Sequence, residues 1–207
     1  MPLYKTINHS SQTTVLVWHI QESENELMQG IDLTQKSHDR LQSMQSDSHR
    51  KGFLSVRQLL KIMGYGDKDL FYTPDGKPHL IDGKKISITH SFDFSAIIVS
   101  KHTVGIDIEK NREKILKIGS RFMDHEVEFI DQKDSIKFHT VVWAAKESLY
   151  KIHPDGGLLF KKHLPIEKFC IKDRSTRGWI HKDSYYEVYD LYFTFIKDFT
   201  LVYAVND

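Results

Sequence analysis

The feature that most constrains the fold is a long helical pattern in the second half of the chain. It runs from about Ser135 to Ile152 and ends at Pro154 and the Gly156-Gly157 pair, because proline and glycine stop helices. Aromatic and β-branched residues then favour strands, at Lys168 to Lys172, Tyr185 to Ile196 and Thr200 to Val205. A long helix followed by strands predicts an α+β fold.

The first half follows a similar plan of a strand, then helices, then strands. A strand is expected at Val15 to Ile20, and the spacing of apolar residues predicts a helix from about Asp47 to Met63. The other expected elements are a helix around Leu33 to Met44, a turn-rich loop at Tyr72 to Pro78, strands at Ile86 to Thr89, Ser95 to Ser100 and Val104 to Glu109, and helical stretches at Glu113 to Phe122 and His125 to Ile130. Two similar α+β lobes are therefore expected, residues 1–102 and 103–207.

The composition excludes several classes of protein. The 207 residues are 40% hydrophobic and 28% charged, which is typical of a globular protein. A net charge of +1 gives no general attraction to nucleic acid or to a membrane surface, so any anion site must be local. The amino-terminal stretch lacks the apolar core of a signal peptide, and the apolar runs are too short to cross a bilayer. A cytoplasmic protein is expected.

The cysteine and histidine residues do not suggest a metal or redox centre. The single cysteine, Cys170, excludes a disulfide within the chain, and its apolar neighbours Phe169 and Ile171 predict a small core residue. His125-Glu126 lacks the second histidine of a zinc-protease helix, and the sequence has no glycine-rich phosphate loop. Zinc sites and the common nucleotide-binding folds are therefore not indicated.

Two acidic residues alternate with apolar ones in Gly105-Ile106-Asp107-Ile108-Glu109. On a strand, Asp107 and Glu109 share one face while the isoleucines face the core. Two such carboxylates can share a hard cation such as Mg²⁺. Taken alone, the segment is more typical of an amphipathic strand with a solvated face.

The long helix carries Trp143-Ala144-Ala145-Lys146-Glu147-Ser148-Leu149-Tyr150-Lys151. Glu147 and Lys151 lie one turn apart on the face that Trp143 also occupies. A third carboxylate and an ammonium could therefore serve one site. An ordinary exposed ion pair between Glu147 and Lys151 is the alternative.

Cationic candidates for a phosphate site lie in the first half. Arg50 and Arg57 share a helix face, Lys77 lies in the Gly76-Lys77-Pro78 turn, and His90 follows Thr89 at the end of a short strand. Such groups are the usual partners of phosphate oxygens. Each is individually weak, because most surface arginines and lysines are simply solvated.

The order of these pieces resembles the 4'-phosphopantetheinyl transferase family, in its larger, surfactin-synthetase-activating type. The similar pieces are the Gly-Lys-Pro turn, the Thr-His-Ser strand end, Gly-Ile-Asp-Ile-Glu, and Trp-x-x-Lys-Glu-x-x-x-Lys. The resemblance runs from about Asp47 to Lys151 and implies a monomer of two α+β lobes related by a pseudo-twofold axis, with the active site in the cleft between them. It assigns the first lobe to coenzyme A phosphates and the second to the metal and the catalytic helix.

The resemblance also implies roles for individual residues. Asp107, Glu109 and Glu147 match the acids that hold Mg²⁺, and Lys151 matches the lysine near the reacting phosphate. Phosphate contacts to coenzyme A, including its 3'-phosphate, are implied for four residues of the first lobe: Arg50, Lys77, Thr89 and His90. Glu147 and Lys151 are the expected catalytic residues, and Glu126, Glu128 or a water stay open beside Glu147 as the general base.

The activity implied is transfer of the 4'-phosphopantetheine group of coenzyme A to a serine of an apo acyl, peptidyl or polyketide carrier protein. The products are the holo carrier and 3',5'-ADP. No nucleic acid or membrane partner is expected. Two alternatives stay open: a non-catalytic protein of this fold that binds coenzyme A or a carrier, and a different Mg²⁺-dependent phosphotransfer or phosphohydrolase enzyme.

Overall fold

A computed structural model describes residues 3–206 of the chain. The chain divides into two compact units, Met1–Lys101 and His102–Asp207. Each unit contains helices and a four-stranded antiparallel sheet, so the predicted α+β class is confirmed. Among the described residues, no helix is long and apolar enough to cross a membrane.

The first unit is built on a sheet of four antiparallel strands in the order β1-β2-β6-β5. Its elements are β1 (Leu3–Asn8), β2 (Thr13–His19), α1 (Glu24–Met28), α2 (Gln35–Ser43), α3 (Asp47–Ile62), β3 (Leu70–Tyr72), β4 (Pro78–Leu80), β5 (Lys85–Ser91) and β6 (Phe94–Ser100). Helix α3 buries its apolar face in the core of this unit, and β3 and β4 form a separate hairpin around the predicted turn.

A buried ion pair organises the helices of the first unit. The Arg57 side chain is only 4% exposed and donates from Nε to Asp67 at 3.0 Å. Asp67 also accepts hydrogen bonds from Thr34 and Ser37 at the start of α2. Such a pair persists only because its remaining hydrogen-bonding groups are satisfied. Arg57 is therefore part of the framework and is not available to a phosphate.

The second unit has the sheet order β7-β10-β9-β8. Its elements are β7 (Val104–Lys110), α4 (Lys114–Phe122), α5 (Ser135–Ile152), α6 (Phe160–His163), β8 (Ser175–Lys182), β9 (Tyr185–Ile196) and β10 (Phe199–Val205), with a 3-10 helix at His125–Phe129. The long helix α5 packs against β7 and β10. Both α5 and β9 have the predicted bounds.

The same connection recurs in both units. A first strand is followed by helices and then by an antiparallel hairpin, whose second strand returns to pair with the first. In the first unit these strands are β2, β5 and β6, with β1 added at the edge. In the second they are β7, β9 and β10, with β8 added at the far side of β9.

Two expectations for the second unit are wrong. Lys168 to Lys172 is not a strand, because the backbone turns at Ile171 and the N–H of Cys170 bonds to the side chain of Asp173 at 2.7 Å. The same turn leaves Cys170 exposed and outside the core, while its neighbours Phe169 and Ile171 are buried.

Candidate active site

Gly105 lets α5 approach β7 closely enough to bring their functional side chains together. A Cβ added there would lie 2.0 Å from the backbone oxygen of Ser148, which is closer than any real contact. Asp107 and Glu109 follow Gly105 on the same face of the strand. This face is therefore covered by α5 and is not the solvated face of an amphipathic strand.

Asp107 lies under this helix and is paired with Lys151. Asp107 is 6% exposed, and Lys151 Nζ donates to its Oδ1 at 2.8 Å and to the backbone oxygen of Ile106 at 2.7 Å. Among the described residues, Lys151 thus pairs with Asp107, 44 positions away, and not with Glu147. The ammonium lies beside the first of the predicted metal ligands and fixes it to the helix.

Glu109 is the second predicted ligand and lies at the end of β7. Trp143 Nε1 donates to its Oε1 at 3.1 Å. Burial raises the pKa of the Glu109 carboxyl, and the charge of Asp107 raises it further, while the hydrogen bond from Trp143 lowers it. The two carboxylates on β7 are therefore close enough to repel one another.

Glu147 completes the acidic group from the helix side. Burial, followed by the negative charges of Asp107 and Glu109, raises the pKa of Glu147 to about 7, and Lys151 opposes this increase. The negative charges of the three acids thus repel one another. Concentrating negative charge in a partly buried place is costly unless a cation compensates it.

The donor set suits a hard divalent cation, because all three groups are carboxylates and Mg²⁺ prefers oxygen ligands. Between residues 3 and 206, however, no three acidic, histidine or cysteine side chains converge tightly enough to form a ready-made metal site. The carboxylates repel one another, and one of them is held by Lys151. The residues fit a cation chemically, and holding one requires the side chains to rearrange.

Lys146, the other charged residue of the helix motif, has a structural role. Lys146 and Glu126 are both fully buried, with Lys146 Nζ 2.6 Å from Glu126 Oε1. Glu126 also accepts the backbone N–H of Asp124 and of Ile166. This arrangement excludes Glu126 from contact with a substrate, whereas Glu128 is exposed. Of the candidate bases, only Glu147 belongs to the acidic group.

The predicted phosphate residues lie on three elements of the first unit. Arg50 is on α3, where Glu24 holds its guanidinium through two hydrogen bonds and the backbone oxygen of Leu41 accepts a third at 2.6 Å. Its side chain is 25% exposed. A phosphate could reach Arg50 only by sharing it with Glu24 or by displacing that carboxylate.

The other three phosphate candidates are arranged differently. His90 is exposed at the end of β5, 5.7 Å from the ring of His49 and against Gly52 of α3. Thr89 is 6% exposed. Lys77 lies in the β3–β4 turn. Hydrogen bonds between Thr73 and the backbone of Lys77 close this turn. His90 thus packs against the first turns of α3, which carry Arg50. Lys77 belongs to a separate hairpin.

Two contributions to the site were not evident from the sequence. The role of Gly105 in admitting α5 depends on a contact with Ser148, and the hydrogen bond from Trp143 to Glu109 joins residues 34 positions apart. Both residues lie within the motifs. Only the shared helix face of Trp143 and Glu147 indicated that the indole belongs beside the acids.

Comparison with known proteins agrees with this geometry. Residues 103–200 match the family model of the 4'-phosphopantetheinyl transferase superfamily. The chain is 28% identical over 156 residues to 4'-phosphopantetheinyl transferase gsp of Aneurinibacillus migulanus, covering 70% of this chain and 63% of that protein. It is 30% identical over 132 residues to enterobactin synthase component D of Salmonella typhi, covering 57% and 53%. The matches thus span less than two-thirds of either relative. The family model therefore matches nearly all of the second unit, which carries the acidic group.

Proposed function

We propose that this protein transfers the 4'-phosphopantetheine group of coenzyme A to a serine hydroxyl of an apo carrier protein. The observation that supports this most directly is the grouping of Asp107, Glu109, Glu147 and Lys151 on β7 and α5. This grouping lies within the segment that matches the superfamily model.

The reaction exchanges one phosphorus–oxygen bond for another. The serine oxygen forms a bond to the phosphorus that carries pantetheine, and the bond from this phosphorus to the 5'-phosphate of the adenosine moiety breaks. The electron pair leaves with 3',5'-ADP, and the serine proton must be accepted by a base. Catalysis therefore requires a base, a compensating charge for the leaving phosphate, and correct orientation.

Glu147 is the base in this proposal, acting directly or through a water. Its carboxylate lies beside Asp107 and Glu109, where it can accept the serine proton or orient a water that accepts it. Lys151 supplies positive charge to the leaving phosphate, because its ammonium is partly exposed beside Asp107. Asp107, Glu109 and Glu147 would hold Mg²⁺, which supplies further positive charge to the pyrophosphate when bound.

The first unit is proposed to recognise the coenzyme A phosphates. His90 and Lys77 offer cationic or hydrogen-bonding groups, Thr89 offers a hydroxyl, and Arg50 contributes if the phosphate shares it with Glu24. The enzyme is proposed to act as a cytoplasmic monomer, in the compartment that supplies coenzyme A. Size-exclusion chromatography with light scattering measures the oligomeric state.

The test is incubation of the full chain with coenzyme A, Mg²⁺ and a panel of apo acyl, peptidyl and polyketide carriers, read by intact mass. We expect at least one carrier to gain the mass of one phosphopantetheine group. The matched control is the same carrier with its acceptor serine replaced by alanine, which must gain nothing. No mass gain on any carrier, by a folded protein, would contradict the proposed activity.

A further inference from the structure

Trp143 contacts the acidic group without being charged itself. It lies one helical turn before Glu147 on α5, and its Nε1 is 3.1 Å from Oε1 of Glu109. The indole side chain has one N–H donor and no acceptor, so the direction of this hydrogen bond is unambiguous. One oxygen of the Glu109 carboxylate is thereby held in place.

The kind of donor matters for what Glu109 can do next. Lys151 brings a full positive charge to Asp107, which compensates that carboxylate. The Trp143 indole brings only a dipole to Glu109, so it orients the carboxylate and leaves its negative charge available to a cation. The two β7 acids are thus held by chemically different means.

The indole is itself held firmly by other rings. Phe122 of α4 packs edge-on against it with 5.1 Å between ring centroids, and Phe160 of α6 lies 5.3 Å away on a tilted plane. Aromatic pairs at such distances contribute to packing and limit rotation of the ring. Two neighbouring helices therefore fix the direction in which Trp143 presents its N–H.

We propose that Trp143 is a positioning residue for a divalent cation, acting through Glu109 by holding one carboxylate oxygen without neutralising its charge. This role rests on the proposed function, in which Asp107, Glu109 and Glu147 hold Mg²⁺. Hydrogen-bond partners behind metal ligands typically change metal affinity by about 10–100-fold when they are removed. A single neutral N–H belongs at the lower end of this range.

The experiment measures Mn²⁺ binding to the full chain by electron paramagnetic resonance, which does not depend on turnover. Trp143→Phe removes the N–H and keeps an aromatic ring against Phe122 and Phe160. We expect its Mn²⁺ affinity to fall about tenfold. Trp179→Phe, the same change on β8, should leave affinity within about twofold. Thermal melts establish that both variants are folded.

The combination with Glu109→Gln separates positioning from packing. If the indole acts through the carboxylate, Trp143→Phe should have no further effect on Mn²⁺ affinity once Glu109 is glutamine. An equal loss in both backgrounds, or no loss from Trp143→Phe in a wild-type background that binds Mn²⁺ and transfers phosphopantetheine, overturns the positioning role alone. A wild-type protein that transfers phosphopantetheine but binds no Mn²⁺ overturns this role and the metal site together.

Discussion

The two units place their candidate charged residues in different ways. In the second unit, three acids and a lysine lie on one strand and the helix packed directly on it, within reach of one another. In the first unit, Arg50, His90 and Lys77 lie on a helix, a strand end and a hairpin turn. Both units follow the same strand–helices–hairpin plan, so the connection alone does not determine where charge is concentrated.

The difference is explained by one close backbone approach. Gly105 admits α5 onto β7, and this contact forces carboxylates with unfavourable mutual repulsion into a partly buried group. In the first unit, by contrast, the charge of Arg50 is already compensated by Glu24. A protein concentrates like charges where chemistry requires them, and it can leave binding charges dispersed when the ligand itself brings the opposite charge.

The largest expected loss of activity is at Asp107, because this residue is paired with Lys151 and lies beside Glu109 and Glu147. Asp107→Asn keeps the shape and removes the charge, so turnover should fall by at least about a thousandfold. The assay is transfer to a carrier protein that the wild-type enzyme modifies, read by intact mass. Asp190→Asn, an exposed acid of β9, is the control. Retention of more than about a tenth of the activity would show that the acidic group is not the reaction centre.

Lys151→Met should have the next largest effect. If the ammonium compensates the leaving phosphate, turnover with saturating apo carrier should fall about a hundredfold, with much less change in coenzyme A affinity. Lys137→Met, on the same helix with a 44% exposed side chain, is the matched control. Near-normal turnover in a folded Lys151→Met protein would show that Lys151 has only a structural role, through its hydrogen bonds to Asp107 and Ile106.

Gly105→Ala tests the packing contact that distinguishes the second unit. The added Cβ meets backbone atoms of Ser148, so α5 must move away, and overpacking of this kind costs about 1–3 kcal/mol. Chemical denaturation measures the loss. Gly66→Ala is the control in the first unit, since its added Cβ lies at an ordinary 3.6 Å from Asp69. If Gly105→Ala is as stable as wild type, the close approach of α5 to β7 does not depend on this glycine.

Much of this architecture could be predicted from local sequence, and the errors arise where packing or a single glycine overrides the local pattern. Helix α5 and strand β9 follow from periodic patterns, and the acids of β7 follow from alternation. The covering of their face by α5 did not, because alternation does not reveal what packs on a strand. Strand β8 is not evident from the sequence because Gly178 interrupts its run of strand formers, although the glycine gives room to the Leu191 and Leu149 side chains.

The same limit explains the partner of Lys151. A helical sequence shows its own neighbours four positions away, and Glu147 was therefore the visible partner. The observed partner is Asp107, 44 positions earlier, and only tertiary packing selects it. For Arg50, likewise, the sequence showed a surface cation, whereas the structure shows a guanidinium held by Glu24 of α1 and by Leu41.

Binding of the 3'-phosphate tests the dispersed charges of the first unit. Wild type should bind coenzyme A about tenfold more tightly than dephospho-coenzyme A in calorimetry, since one lost charged contact costs about 1.5–3 kcal/mol. His90→Ala and Lys77→Ala should each reduce this ratio. Glu24→Gln frees Arg50 and should increase the ratio. If wild type binds both ligands equally well, the first unit does not recognise the 3'-phosphate.

The smallest expected effect is a pH-dependent gain in stability in the metal-free protein, with chelator present. The pKa of Glu147 is raised in the fold from 4.5 to about 7, so the folded state favours the protonated form. Its contribution to stability is fully present below pH 4.5 and is lost as pH rises through about 7. Glu147→Gln cannot ionise and avoids this loss.

Glu147→Gln should therefore match wild type near pH 4 and be more stable at pH 8. We expect a gain of about 1 kcal/mol, less than the about 1.4 kcal/mol per pKa unit of a complete shift, because Glu147 is half-buried and Lys151 can turn toward it. Glu167→Gln is a control of opposite sign, since the hydrogen bond from Arg177 lowers the pKa of Glu167 and its removal should weaken the fold at pH 8. Denaturant titrations at both pH values measure the free energies of unfolding. If Glu147→Gln is no more stable than wild type at pH 8, ionised Glu147 does not destabilise the fold.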